Sequence, residues 1–265
     1  MYKPFYNLIK PPFSKGMTSS DLFMSEGMEE ILSRLIYVVN NKMFATVSGE
    51  CGTGKSTLLR KLKSSLDDKI YDLVYIADSK LTPRNFYNAV LNQFGVEGAF
   101  YRGDSKRLLH REIAAMTETR NRIICIIVDE AHLLDKEMLE EIRFLLNSKM
   151  DSESPVSLLL VGQLDLEFML DKRTSLAISQ RIDFRCRLCQ MTLEETIAYI
   201  RHQMNYAGAS KEIFLKPAAK EIFEFSGGIA RIVNKICNKC LMYGAINKKK
   251  TIDAKIAGEI IEHES

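Results

Sequence analysis

The stretch Gly49-Glu-Cys-Gly-Thr-Gly-Lys-Ser56 decides the fold of this sequence. It follows the apolar run Phe44-Ala-Thr-Val-Ser48 and opens the helix-forming run Ser56-Thr-Leu-Leu-Arg-Lys-Leu-Lys-Ser-Ser-Leu66. A glycine-rich turn between a buried strand and a helix, closed by Lys-Ser, is the complete pattern of a phosphate-binding loop. Its glycines let backbone N–H groups surround phosphates, and the positive end of the following helix faces their negative charge. The pattern predicts a nucleoside triphosphate site, and a chance glycine-rich turn is the alternative.

The residues of this loop have separate predicted roles in binding ATP and Mg²⁺. Lys55 is predicted to reach the β- and γ-phosphates, and the Ser56 hydroxyl is predicted to ligate Mg²⁺. Thr57, one step into the helix, is placed to contact the α-phosphate. The predicted cofactor-binding residues of the loop are Gly49, Glu50, Cys51, Gly52, Thr53, Gly54, Lys55, Ser56 and Thr57.

A second motif, Arg122-Ile-Ile-Cys-Ile-Ile-Val-Asp129-Glu130-Ala-His132, is an apolar run that ends in two adjacent carboxylates. At the end of a buried strand, Asp129 is predicted to hold the Mg²⁺ shell through water. Glu130 is predicted to polarise the attacking water, because phosphoryl transfer depends on positioning and charge stabilisation. The alternative is a loop that merely begins a helix. With the phosphate loop about 70 residues earlier, the pair predicts an ATP hydrolase.

Three further polar residues complete the predicted catalytic set. Gln163 follows the apolar run 157–162 and is predicted to reach the γ-phosphate or its water, although a cap on the next helix is the alternative. Arg181 is predicted to act on a neighbouring subunit's nucleotide as an arginine finger. Arg231 is predicted to contact the γ-phosphate of its own subunit. For both arginines the alternative is an ordinary surface ion pair.

The pattern of predicted secondary structure changes near residue 190. Before it, the apolar runs 44–48, 73–77, 123–128 and 156–161 alternate with amphipathic stretches and predict strands buried on both faces of a parallel sheet with helices on both sides. After it, Thr192 and Glu195 predict a capping box, and Pro217 and the Gly227-Gly228 pair bound a later helix. We therefore expect an α/β P-loop NTPase domain of three αβα layers over residues 41–190. An N-terminal segment and first helix (1–40) would precede it, and a small helical lid (191–265) would follow.

The composition of the chain indicates which classes of partner and location to expect. The 265 residues are 46% hydrophobic and carry a net charge of +3, which permits a nucleic-acid partner without arguing for one. No run has the roughly 18 apolar residues of a membrane span, and the N-terminus lacks a signal peptide. A cytoplasmic location without membrane contact is expected.

The pairs Cys186/Cys189 and Cys237/Cys240 resemble zinc ligands, but small core residues explain them better because the pairs are far apart.

With these motifs in place, the chain resembles the ExeA/GspA-type AAA+ ATPases, which are related to the transposition helpers MuB, TniB and TnsC. The resemblance covers nearly the whole chain, from Phe5-Tyr-Asn-Leu8 and Pro11-Pro-Phe13 to Ser226-Gly-Gly-Ile-Ala-Arg231. It implies a helical lid over the nucleotide, ATP-dependent rings or helical filaments, and Pro12 and Phe13 beside the adenine. Two positions depart from the group: Ala230 replaces its usual proline, and His132 replaces a frequent glutamine.

The resemblance leaves two biological interpretations. Secretion-linked members typically add a membrane segment and a cell-wall-binding region, and their absence favours an ATP-dependent DNA-binding regulator of transposition. Such a protein would assemble on double-stranded DNA without sequence preference and recruit a transposase. The alternative is a secretion or envelope-assembly ATPase acting on protein partners; a non-hydrolysing nucleotide-gated module is disfavoured by Glu130. The predicted DNA contacts, which ordinary solvated charges would equally explain, are Lys80, Arg84, Arg102, Lys106 and Arg107.

Overall fold

A computed structural model describes residues 2–14, 16–78, 82–146 and 154–264. The chain forms two compact units. The first, called here the sheet unit, comprises Glu30–Glu50 and Leu58–Leu188. The second, the helical unit, comprises Met1–Glu29, Cys51–Thr57 and Cys189–Ser265. The phosphate loop and the N-terminal segment thus group with the C-terminal helices rather than with the sheet.

The sheet unit is built on five parallel strands in the order β2-β3-β4-β1-β5. They are β1 (Phe44–Gly49), β2 (Tyr71–Ile76), β3 (Ile123–Val128), β4 (Ser157–Gly162) and β5 (Phe184–Leu188). Three central strands end nearly level, because Ser48 of β1 pairs with Gly162 of β4, and Val128 of β3 pairs with Leu160 of β4. The residues that follow these strands therefore meet at one edge of the sheet, the edge where open α/β sheets bind ligands.

Helices alternate with these strands, as the sequence predicts for a parallel αβα fold. They are α1 (Glu26–Asn40), α2 (Lys55–Ser65), α3 (Pro83–Gln93), α4 (Arg102–Ala114), α5 (Lys136–Leu145), α6 (Asp165–Leu170) and α7 (Leu176–Ser179). Side-chain caps begin two of them: Thr82 accepts a hydrogen bond from the Asn85 N–H, and Asp135 accepts one from the Met138 N–H. Apolar side chains of α3, α4 and α5 pack with those of β3 and β4 in one core.

One predicted strand differs from the structure. The run 73–77 was expected to be buried on both faces, but β2 begins two residues earlier, at Tyr71, and only Val74 and Ile76 in it are buried. The reason is its place at the edge of the sheet, beside β3 alone. An edge strand keeps one side open to water, so polar and aromatic residues such as Tyr75 replace aliphatic ones there.

The helical unit contains α8 (Leu193–Tyr206), α9 (Lys216–Ser226), α10 (Ala230–Ile246) and α11 (Ala254–Glu262). The predicted capping box is confirmed, since Thr192 and Glu195 exchange side-chain-to-backbone hydrogen bonds. Gly227 ends α9 in the left-handed conformation, with φ +57°. The N-terminal segment supplies Tyr2, Tyr6, Leu8 and Phe13 to the core of this unit. Across the described ranges, no helix combines the length and the apolar character needed to span a membrane.

A buried carboxylate, Glu141 of α5, joins three helices of the sheet unit. Its side chain is 4% exposed and accepts hydrogen bonds from Tyr87 of α3 and from Arg102 and Lys106 of α4. Burial alone would raise the pKa of Glu141, but these three donors outweigh burial and hold the pKa below its ordinary value. The carboxylate therefore stays ionised, and its hydrogen bonds and ion pairs link α5 to α3 and α4.

Replacing Glu141 with glutamine is expected to lower the free energy of unfolding by about 2 kcal/mol at neutral pH, because the hydrogen bonds become weaker and two cations lose their counter-charge. Urea unfolding measures this, with Glu140→Gln as the control. Glu140 is an exposed neighbour on α5, and its replacement should change stability by less than about 0.5 kcal/mol. A depressed pKa stabilises the fold above the ordinary value of 4.5. The difference between wild type and variant should therefore shrink below that pH, and a constant difference would contradict the assignment.

Candidate functional site

The phosphate loop has the backbone conformation that its sequence predicts. β1 ends at Gly49 and α2 begins at Lys55, so the loop connects a buried strand directly to a helix N-terminus. Gly52 and Gly54 have φ values of +90° and +115°, a region that side chains disfavour. Lys55 is the first residue of α2, and Ser56 and Thr57 lie in its first turn. The loop therefore offers backbone N–H groups, a lysine and two hydroxyls at the positive end of a helix.

Arg231 lies against this loop within the helical unit. Its backbone N–H, at the start of α10, donates to the Gly52 carbonyl at 3.2 Å, and its Nη1 lies 2.9 Å from Cys51 Sγ. The approach is close: a Cβ on Gly52 would lie 2.7 Å from Cβ of Arg231. The structure thus brings together the loop and the arginine that the sequence places in one site, although 180 residues separate Cys51 and Arg231.

Asp129 is held in a fixed orientation at the end of β3. Its side chain is buried, and its backbone N–H donates to the Ile76 carbonyl at 2.8 Å. The Glu130 N–H donates to Oδ1 at 2.8 Å, and the Tyr75 hydroxyl donates to Oδ2 at 2.5 Å. Sequence reasoning did not single out Tyr75, since a tyrosine in a strand is an ordinary β-forming residue. Protein donors thus orient both oxygens of the carboxylate.

Glu130 occupies an unusual backbone position for a residue with a side chain. Its φ is +50°, in the left-handed region, and its side chain is 46% exposed. Residues held in such conformations cluster at functional sites. His132 Nδ1 lies 3.5 Å from Glu130 Oε2 and 3.4 Å from the backbone N of Gln163, which donates to it. The His132 ring therefore lies beside both the Glu130 carboxylate and the residue that follows β4.

Gln163 directly follows β4 and is joined to the Asp129-Glu130 loop through His132. A Cβ on Gly162 would lie 3.2 Å from the His132 backbone nitrogen, so the glycine permits this close contact. The alternative role of Gln163, a cap on the next helix, does not occur in this part of the described chain. The N-cap position of α6 is Leu164, and no side chain caps it. Gln163 thus follows β4 at the edge of the sheet where Asp129 and Glu130 follow β3, and contact of its side chain with the γ-phosphate or its water stays a prediction.

Comparison with known proteins agrees with this geometry. Residues 39–170 match the protein family described as AAA domain. This region is an AAA+ ATPase domain. The chain is 32% identical over 248 residues to General secretion pathway protein A of Aeromonas hydrophila, a match that covers 91% of this chain and 44% of that protein. The chain therefore spans less than half the length of this curated relative.

Solved structures support the AAA+ fold. Cdc6p of Pyrobaculum aerophilum superposes with a TM-score of 0.68 at 19% identity, over 91% of this chain and 67% of that one. The ORC2 protein of Aeropyrum pernix, solved in ADPNP–ADP complexes, gives a TM-score of 0.69 at 14% identity, over 94% and 70%. RuvB of Thermotoga maritima, a Holliday junction branch migration motor, gives 0.65 at 17%, over 95% and 73%. At such identities the likeness concerns the fold.

The residues present fit a magnesium nucleotide. Hard cations such as Mg²⁺ prefer oxygen ligands, and the AAA+ domain provides a carboxylate in Asp129 and a hydroxyl in Ser56, each at the end or start of a regular element. The left-handed glycines give the loop the backbone conformation that a phosphate-binding turn requires. Among the described residues, no cluster of three or more His, Cys, Asp or Glu side chains is placed to hold a metal by itself. Bound phosphates would complete the ligand set, which is usual for Mg²⁺.

The structure places three other predicted site residues, Arg181, Phe13 and Pro12, in different surroundings. Arg181 precedes β5, at the amino edge of the sheet, whereas Gly49, Asp129 and Gln163 follow strands at the opposite edge. It is therefore not placed to serve its own sheet's site, and a role toward a neighbouring subunit stays a prediction. Phe13 is buried in the core of the helical unit, and its N–H donates to Gln203 Oε1 at 2.9 Å. Pro12 is buried as well, and contact of this pair with adenine stays a prediction.

The predicted DNA contacts have varied surroundings in the structure. Arg102 and Lys106 bind Glu141, which gives them a structural role. The Arg84 guanidinium lies 5.0 Å from the ring centre of Phe100, and Arg107 pairs with Asp104 on the surface of α4. Lys80 lies outside the described residues. Binding of DNA by these side chains stays a prediction, and three of them already form ion pairs within the domain.

The cysteine pairs lie in separate surroundings. Cys237 and Cys240 are fully buried in the core of the helical unit, and burial raises the pKa of both thiols. Cys186 is a buried residue of β5, whereas Cys189 is exposed. Raised pKa values disfavour the thiolate form that metals bind. Cys186, Cys237 and Cys240 therefore have the surroundings of small apolar core residues, whereas Cys189 faces solvent.

Proposed function

We propose that the chain is an ATP-hydrolysing switch of the General secretion pathway protein A type, which uses its nucleotide cycle to control protein partners. One observation carries the chemical part of this proposal. Three neighbouring strands, β3, β4 and β1, end nearly level and are followed by Asp129-Glu130, Gln163 and the phosphate loop. These are the groups that phosphoryl transfer to water requires.

In the proposed reaction the loop backbone and Lys55 bind the β- and γ-phosphates. Ser56 and Asp129 would hold the Mg²⁺ shell, and the ion would neutralise charge that develops on the phosphate oxygens. Glu130 accepts a proton from the attacking water, and Gln163 orients that water or the γ-phosphate. Arg231, a residue of the helical unit, stabilises negative charge on the γ-phosphate of its own subunit. Arg181 stabilises negative charge on the nucleotide of a neighbouring subunit. Assembly into rings or filaments would then couple hydrolysis to disassembly.

The choice of partner rests on the sequence comparison. The 32% identity to General secretion pathway protein A extends over 248 residues. It favours the secretion-type interpretation over the transposition helper that the sequence first suggested. No described contact favours DNA: Arg102 and Lys106, two of its predicted ligands, are paired with Glu141. Action on protein partners, with assembly controlled by ATP, is the resulting proposal.

Sedimentation with ATP, ADP or no nucleotide, with and without a random-sequence double-stranded DNA fragment, tests this proposal. The expected result is faster sedimentation with ATP than with ADP, unchanged by DNA at low and physiological salt. Co-sedimentation with DNA that depends on ATP and weakens steeply with salt would instead favour the transposition interpretation, because phosphate contacts release counterions. Absence of ATP turnover in every condition would overturn the ATPase assignment.

A further inference from the structure

The hydroxyl of Tyr75 reaches Asp129 because of the register of the sheet. Tyr75 of β2 pairs with Ile127 of β3, and Asp129 lies two residues beyond Ile127. Side chains two residues apart on an extended chain project from the same face, so Tyr75 and Asp129 face the same side. A diagonal separation of this kind is within reach of an aromatic side chain. The resulting hydrogen bond joins the edge strand to the end of its neighbour.

The backbone of Tyr75 is itself fixed from outside the sheet. The Gln93 amide, at the end of α3, donates to the Tyr75 carbonyl at 2.8 Å and accepts from the Tyr75 N–H at 3.0 Å. Both groups point away from β3, since the carbonyls of Ile70 and Ile76 are the ones that accept from the β3 side. One side chain thus satisfies two outward backbone groups, and the tyrosine is held at both its backbone and its hydroxyl.

We propose that Tyr75 is a positioning residue for the magnesium site, and that Gln93 holds it in place. The inference rests on the proposed role of Asp129 in the magnesium shell. The Tyr75 hydroxyl occupies one lone pair of Oδ2, and the Glu130 N–H occupies one of Oδ1. Together they fix the plane of the carboxylate. Donors behind a metal ligand commonly change metal affinity by 10- to 100-fold when removed.

The placement of the phenol fits this assignment. Tyr75 is 41% exposed, yet its oxygen is bound to a buried carboxylate. The Tyr75 hydroxyl is therefore directed at Asp129 although much of the residue faces solvent.

Replacing Tyr75 with phenylalanine removes the hydroxyl and keeps the ring. Mg²⁺ is titrated into protein saturated with a fluorescent ADP analogue, and binding of the analogue is also measured in EDTA. The Mg²⁺ midpoint is expected to rise about tenfold, while binding in EDTA stays unchanged. The matched control is Tyr71→Phe, because Tyr71 lies on the same face of β2 and its hydroxyl binds Asn40 rather than Asp129. This control should have the wild-type midpoint.

Gln93→Ala is a second variant that leaves the hydroxyl in place. It is expected to raise the Mg²⁺ midpoint in the same direction but by less, because the edge of β2 loosens around Tyr75. A Tyr75→Phe protein that unfolds at the wild-type temperature and has the wild-type Mg²⁺ midpoint would overturn the inference and leave the proposed function standing. A wild-type protein whose ADP binding did not respond to Mg²⁺ would overturn both.

Discussion

Glu130→Gln protein is expected to hydrolyse ATP about 100- to 10,000-fold more slowly than the wild type while it still binds MgATP. Glutamine has the size of glutamate but cannot accept a proton from the attacking water. Glu130 is suited to the role of base because its side chain is 46% exposed and its left-handed backbone follows Asp129 directly at the strand end. Steady-state phosphate release gives the rate, and equilibrium binding of ATP gives the affinity.

The Glu130 prediction has a further consequence for assembly. Because ATP stays bound without being cleaved, the ATP-dependent oligomer should persist for longer, and sedimentation over several hours would detect it. Glu140→Gln, on the exposed side of α5, is the control and should turn over ATP at the wild-type rate. A Glu130→Gln protein with unchanged turnover would remove Glu130 from the mechanism and leave His132 or a phosphate oxygen to receive the proton.

Lys55→Ala should have the second largest effect and should act on binding as well as on the reaction. Lys55 is the first residue of α2, directly after the left-handed Gly54, and is the predicted cation for the β- and γ-phosphates. Removing a charge that stabilises the transition state typically costs about 100- to 1,000-fold in rate. MgATP affinity should fall too, in contrast to Glu130→Gln, and calorimetry would separate the two variants.

The control for Lys55 is on the same helix. Lys63→Ala removes an exposed lysine from the last turn of α2 and should leave both MgATP affinity and turnover unchanged. If Lys55→Ala bound MgATP as tightly as Lys63→Ala does, the phosphate loop would not be the nucleotide site, and the functional proposal would lose its basis.

The sequence was informative wherever local chemistry determines structure. The segment from Gly49 to Ser56 connects a strand to a helix as predicted. Its glycine spacing and Lys-Ser ending are typical of a phosphate-binding loop and uncommon in other turns. Thr192 and Glu195 form the predicted capping box, and Gly227 ends α9 at the predicted glycine pair. Each of these features depends on residues within a few positions of one another, so one sequence suffices to recognise it.

The features that sequence reasoning missed depend on distant pairs. Tyr75 and Asp129 are 54 residues apart, and so are Tyr87 and Glu141. Nothing in a strand sequence marks a tyrosine that bonds the carboxylate at the end of a neighbouring strand. The apolar spacing of α5 puts Glu141 on the face of Met138 and Leu145, but it does not indicate which donors from other helices meet it. Strand order and register decide which of these side chains meet, and both arise from the packing of the whole sheet.

The two hydrogen bonds between the Gln93 amide and the Tyr75 backbone also affect whether a strand of another molecule can add to the sheet. β2 lies at the edge of the sheet, where unpaired backbone groups invite a strand from another molecule. At Tyr75 the amide of Gln93 already occupies the hydrogen bonds that such a strand would use. Gln93 thus blocks the addition of another strand at Tyr75, next to the proposed magnesium site.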